Sequence, residues 1–343
     1  MHVAKWFAVA AASLLSTGFL YQAISGWFDL RRFVRDGRFI FLANGSRIYV
    51  REAGAGSPAV VFEAGIGASS LNWRHVQERM AGLTGTLAYD RAGLGWSGPR
   101  HSPRTPSSVA EELHELLQRA GVRPPLILVG HSFGGLAVRK YALLYPGEVA
   151  GLVLVDPMRC EEYPPYNPEM ARKLLAGRRL CAGAVPVARF GLARVGLGSL
   201  ICGSGKVAAK LSSIAGENTR YVLGRIDGEI GKLPPETRPM LVALWSRPAF
   251  YAEMGAYLKD IPDIVKQMSD AAPIGDIPVT VLTPGRSAPL TEECLRGIGE
   301  RARQIVVPDC EHWIHLDRPE LVAGAIRELL EGCGAPEPAS ASR

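Results

Sequence analysis

The run Leu126-Ile127-Leu128-Val129 ends abruptly on Gly130-His131-Ser132-Phe133-Gly134-Gly135 and continues into the Ala/Leu-rich stretch Leu136–Leu144. Consecutive apolar residues suit a strand buried on both faces, and glycines at the corner suit a sharp turn from strand into helix. Gly130-x-Ser132-x-Gly134 fits a nucleophile elbow. The turn lifts a strained serine hydroxyl above the sheet, and the helix that begins there adds N–H groups and a positive dipole end. A side chain at either flanking glycine would collide with neighbouring backbone. The plainer role for Ser132 is to cap the helix, so the rest of the chain has to decide between cap and nucleophile.

The segments around this unit repeat its alternation of strand and helix. Residues 38–54 read as two short strands joined at Asn44-Gly45, a strong hairpin signal. Strands follow at 59–65, from 86, at 126–130, 151–157, 277–285 and 303–309. Helical stretches surround Trp73, Val76 and Met80 and cover 107–120, 134–145 and 318–331. This order predicts an α/β fold with a mostly parallel sheet covered on both faces. The division expected is an apolar anchor at 1–30, a core at 31–157 and 276–331, a helical cap at 158–275 with several Pro breaks, and a disordered tail at 332–343. An insertion at the carboxyl ends of sheet strands is where a cap over a ligand site would lie.

Trp6–Phe28 holds no charged residue. As a helix these residues reach roughly 34 Å at ~1.5 Å per residue, enough for a ~30 Å hydrocarbon layer. Trp6 at one end and Tyr21, Trp27 and Phe28 toward the other suit the two interfaces. An uncleaved anchor is expected. Secretion after cleavage near Ala23-Ile24-Ser25 is the alternative, and the apolar run is long for a signal peptide. Lys5 flanks one side and Arg31, Arg32, Arg35 and Arg38 the other, which leaves the side of the membrane open. The net charge is +6, yet 171–216 alone carries Arg172, Lys173, Arg178, Arg179, Arg189, Arg194, Lys206 and Lys210 with no acid. A basic, apolar cap suggests a surface lying on anionic lipid, against an ordinary solvated basic face. No basic run interleaves with aromatics, so nucleic acid is not an expected partner. Six cysteines without close pairing argue against zinc, redox or disulfide roles; only Cys310 lies near a candidate histidine.

A serine nucleophile needs a base, and the base an orienting acid. His131 lies within the elbow, while His2, His75, His101 and His114 precede it. The chain order that goes with this elbow calls for a histidine after the last strand. His312, in the loop leaving that strand, is the expected base, and His315 is assigned to packing or support. The strand at 279–283 runs into Thr283-Pro284-Gly285-Arg286-Ser287 with no carboxylate. Asp156, at the end of Leu152-Val153-Leu154-Val155, is therefore the expected acid. A turn-forming Asp-Pro is its bland account, and Glu292 or Glu293 is the alternative acid. The amide of Phe133 and that of Ile66, in Gly65-Ile66-Gly67, are the expected oxyanion donors.

The blocks VFEAGIGASSLNW, YDRAGLGWSG, LVGHSFGG, LVLVDP and EHWIHLDRPELV occur in the order of the functional blocks of the α/β-hydrolase superfamily, which the chain resembles over about 38–157 and 276–331. More narrowly it is similar to largely uncharacterised bacterial hydrolases with an N-terminal hydrophobic segment. The resemblance implies an eight-stranded sheet, a Ser132–His312–Asp156 triad and a mechanism without metal or cofactor. Glu63-Ala64-Gly65 departs from the His-Gly of many members, and Ser132 sets the chain apart from members with an aspartate nucleophile. The expected activity is cleavage of a small-molecule carboxylic ester, with a lipophilic part favoured by the cap. An acyltransferase or thioesterase on the same triad, or a non-catalytic ligand-binding protein, are the alternatives; the oligomeric state is not readable.

Overall fold

The computed structural model describes residues 2–160, 168–201 and 232–334. Lys206, Lys210, Cys202 and part of the Pro-rich stretch around 161–167 lie outside the described residues, as does the tail beyond Gly334. Strands are β1 (Arg38–Phe41), β2 (Arg47–Ala53), β3 (Ala59–Glu63), β4 (Thr86–Asp90), β5 (Leu126–His131), β6 (Val149–Val155), β7 (Val279–Pro284) and β8 (Ala302–Val307). Helices are α1 (His2–Phe33), α2 (Arg74–Met80), α3 (Pro106–Ala120), α4 (Phe133–Leu144), α5 (Pro168–Arg189), α6 (Leu192–Ile201), α7 (Arg238–Trp245), α8 (Pro248–Ser269), α9 (Glu292–Ile298), α10 (Ile314–Asp317) and α11 (Pro319–Gly332). They fall into two compact units, one of Met1–Asp36 with Lys173–Leu258, the other of Gly37–Arg172 with Lys259–Arg343.

The second unit holds one sheet in the order β1-β2-β4-β3-β5-β6-β7-β8. β1 and β2 pair antiparallel across the Asn44-Gly45 turn, where Gly45 has φ +84° and the Asn44 side chain accepts from the Ser46 amide at 2.9 Å. β2 also meets β4 antiparallel; every pairing from β4 through β8 is parallel. β5 lies inside the sheet and all six of its residues are buried. Because successive side chains point to opposite faces, Leu126 and Leu128 join Leu113, Leu116, Val138 and Tyr141 of α3 and α4. Ile127 and Val129 join Val76 and Met80 of α2 and Val322 and Ile326 of α11 on the other face. Helix limits follow local chemistry. Thr105 caps α3, its side chain accepting from the Ser108 amide, with Pro106 next; Gly121 ends it at φ +76°.

The first unit joins the N-terminal helix to the described residues within Lys173–Leu258 of the inserted segment. α1 packs along α7, and its Gly18 lies so near the Phe190 carbonyl that a Cβ there would sit 2.4 Å from the oxygen. Gln22 is buried: it donates to the Ser246 carbonyl at 3.1 Å and accepts from Arg194 Nε at 3.0 Å. Arg194 also pairs with Asp29 at 2.7 Å. α5 and α6 meet at a bend of 98°.

Candidate active site

In a parallel sheet the carboxyl ends of all the strands lie along one edge, so the loops after β3, β5, β6 and β8 assemble there from distant parts of the chain. The corner after β5 is tight. A Cβ at Gly130 would lie 2.5 Å from the Gly134 carbonyl oxygen, and one at Gly134 would lie 2.4 Å from that of Glu63. Ser132, at the apex, has φ +54° and ψ −121°, a conformation that L residues avoid and that persists only where surroundings impose it. Its amide donates to the Val155 carbonyl at 3.1 Å, and its own carbonyl accepts from Gly135 and Met158. Ser132 occupies the capping position of α4, but its side chain makes no capping hydrogen bond. The capping role is therefore not the one this geometry provides.

Asp156 directly follows β6, its amide held by the Leu282 carbonyl at 2.8 Å and its backbone at φ +40°. Its Oδ2 lies 2.7 Å from Nδ1 of His312, across 156 residues of sequence. A carboxylate can only accept here, so Nδ1 is the donor in this contact, and the other ring nitrogen of a neutral imidazole is the acceptor. Glu292, by contrast, sits on exposed α9 paired with Arg296 at 3.4 Å, and Glu293 is exposed beside it. Among the described residues, the non-glycine positions with positive φ are Ser132, Asp156 and Asp309. Each lies in one of the three loops that carry Ser132, Asp156 and His312.

His131 lies between His312 and His315 in a run of ring contacts. His131 Nε2 lies 2.9 Å from the His312 carbonyl oxygen, an orientation that makes His131 the donor and anchors the loop main chain. Its ring centre is 4.5 Å from that of His312 and 4.4 Å from that of His315. His315 is buried against Trp73 at 4.5 Å, as a packing residue would be. Cys310 is buried in the core below the same loop.

The loop after β3 lies against the elbow: a Cβ on Gly65 would come 2.9 Å from His131 Nδ1 and 3.4 Å from Ser132 Cβ. Gly67, at φ +74°, completes the turn around Ile66. Phe133 is the first residue of α4, where backbone N–H groups and the positive dipole end face the corner. Beneath this loop is a buried cluster whose role sequence reasoning left unassigned. Arg91 pairs with Glu63 and donates to the carbonyls of Ala64 at 2.5 Å and Gly65 at 2.6 Å. Tyr89 donates to the other Glu63 oxygen, and the Arg91 guanidinium stands 5.2 Å from the centre of the Phe133 ring. Burial pushes the Glu63 carboxyl above its usual range, with Arg91 and Tyr89 opposing that shift. Next to it, Asp90 accepts from the amides of Ser70 and Trp96, both at 2.7 Å, and shapes the 91–98 loop. The sequence shows an acid ending one apolar strand, Glu63, and a base following another, Arg91, but not that the two strands are neighbours. Among the described residues, no three His, Cys, Asp or Glu side chains converge as metal ligands.

The chain is 38% identical over 104 residues to an uncharacterised Bacillus subtilis protein, YqjL, a match covering 30% of this chain and 41% of that protein. It thus spans well under half of that relative. Among solved structures it resembles a thermophilic esterase from Thermogutta terrifontis, with a TM-score of 0.58 at 23% identity over 86% of this chain and 98% of the other. It also resembles the Cif epoxide hydrolase of Acinetobacter nosocomialis, with a TM-score of 0.66 at 17% identity over 90% and 96% of the two chains. At such identities these likenesses establish the fold. The family model for the α/β hydrolase family matches residues 60–325, most of the length, and the chain belongs to that family.

Proposed function

We propose that the protein is a serine hydrolase that cleaves carboxylic esters through an acyl-enzyme, with Ser132 as nucleophile, His312 as base and Asp156 as the acid that orients it. The observation that carries this is the 2.7 Å contact between His312 Nδ1 and Asp156 Oδ2, made by two loops of the sheet edge that also bears Ser132. His312 takes the Ser132 proton through its second ring nitrogen as Oγ adds to the ester carbonyl. Asp156 stabilises the imidazolium so formed. The amides of Phe133 and Ile66 stabilise the tetrahedral oxyanion. The alcohol leaves with the proton from His312, and water, deprotonated by the same group, hydrolyses the acyl-serine.

The nucleophile also favours an ester over an epoxide. A carboxylate opening an epoxide forms an ester that water can cleave, whereas a serine alkoxide would form an ether, which this triad has no means to break. Labelling of the purified protein with a fluorophosphonate probe, wild type against Ser132→Ala, tests the assignment. Modification confined to the Ser132 peptide is expected. A folded wild type that does not label would overturn it.

α1 we read as a retained single-pass anchor rather than a signal peptide. Cleavage after Ser25 would remove Gln22 from beneath Arg194 and Ser246, leaving Arg194 without the partner of its Nε.

A further inference from the structure

Among the described residues, large apolar side chains that are exposed lie almost entirely on α1, α5 and α6. The remainder are Phe41, Leu144 and Val306. On α5 and α6 they are Leu175, Leu180, Val187, Leu192 and Val195, with Leu180 at 63% and Leu192 at 64% exposed. Soluble surfaces scatter such residues singly; here they gather on helices of one compact unit.

The depth at which α1 is gripped makes this more than a patch. Its uncharged span runs from Trp6 to Phe28, and about 20 residues are needed to cross the hydrocarbon of a bilayer. The contacts that α1 makes with Phe190 and Arg194 fall at Gly18 and Gln22, inside that span. If α1 crosses fully, α6 must enter the lipid beside it. The composition of α6 suits that position. Its one charged residue, Arg194, is buried and turned onto Gln22 and Asp29, as charges within membranes are when paired inside a bundle. Ser199 is exposed, yet its hydroxyl bonds back to the Val195 carbonyl at 3.0 Å; Thr17 on α1 does the same with Ser13 at 2.8 Å. Hydroxyls satisfied within their own helix need no water. Farther along α5 from the bend, Lys173, Arg178 and Arg179 are exposed, where anionic headgroups would complement them.

We propose that α6 is a second membrane-entering element, seated against α1 in an anionic bilayer and held there by Arg194, with the basic outer face of α5 at the headgroups. The 98° bend between the two helices lets α5 lie along the headgroups while α6 turns into the bilayer.

The test uses the full chain in nanodiscs of phosphatidylcholine and phosphatidylglycerol containing a lipid with a photoreactive group on its acyl chain. Peptide mapping after illumination should find acyl adducts on α6, around Leu192 and Val195, as well as on α1, and none on the strand bearing Phe41. Adducts confined to α1 would overturn the proposal, and so would α6 cross-links that join two copies of the chain instead of lipid. Gln22→Ala and Arg194→Leu should each lower the α6 adducts while those on α1 persist; unchanged α6 labelling in both would remove Arg194 as the holder. Omitting phosphatidylglycerol should reduce the α6 adducts, and equal labelling without it would remove the anionic requirement. The readout does not depend on hydrolysis, so it stands or falls separately from the assignment of Ser132.

Discussion

Gly134 illustrates how little room the candidate site leaves. A methyl group there would meet two backbone carbonyls, those of Glu63 and Ala64, at 2.4 and 2.7 Å, and neither can rotate away as a side chain could. Gly134→Ala should cost about 1–3 kcal/mol by overpacking and abolish fluorophosphonate labelling, measured by thermal melting and gel fluorescence. Asp156→Asn keeps the volume but reverses the hydrogen-bonding sense toward His312 Nδ1. It should lower kcat by about three to four orders of magnitude with the melting temperature nearly unchanged. Near-normal turnover would point the acid's role back to Glu292 or Glu293. Arg91 works at a distance from the chemistry, holding the carbonyls of Ala64 and Gly65. Arg91→Met leaves Glu63 buried without its cation, and should destabilise the fold by about 3–5 kcal/mol, read by denaturant unfolding.

At the level of elements, most of the sheet was legible because its signals are local. The Asn44-Gly45 turn, the apolar runs and the glycine-flanked corner each announce themselves within ten residues, and the strands at 59–63, 126–131 and 149–155 lie where those runs predict. What was not legible depends on neighbours across the sheet. Asp156 is the expected acid only by elimination, from the missing carboxylate after 279–283. Its 2.7 Å contact with His312 depends on β6 and β7 lying side by side and on the loop after β8, which spacing does not encode. The Glu63–Tyr89–Arg91 cluster escaped for the same reason: it joins the ends of β3 and β4, twenty-eight residues apart from Glu63 to Arg91. The packing of α1 against Arg194 likewise joins segments 172 residues apart. Local rules remain testable where they act alone. Thr105→Ala removes the cap of α3 and should cost about 1 kcal/mol, visible as a lowered melting temperature with labelling at Ser132 intact.

For the whole molecule, the anchor role proposed for the N-terminal helix can be tested on the purified protein. With α1 retained, the purified protein should show an intact mass that includes residues 1–33, and it should leave membranes with detergent but not with alkaline carbonate. A mature species beginning after Ser25 would refute retention.

The parallel sheet has a consequence in time as well as in space. Ser132 comes from the middle of the chain and its prospective base from beyond β8, so the two are synthesised 180 residues apart. On the triad proposed above, a ribosome-bound chain that has already formed β5 carries the serine but not the His312 imidazole, and until the last strand adds to the sheet the hydroxyl is an ordinary alcohol. Reactivity is thereby deferred to the completion of folding, and the fraction of molecules that a fluorophosphonate captures becomes a direct count of chains that have finished.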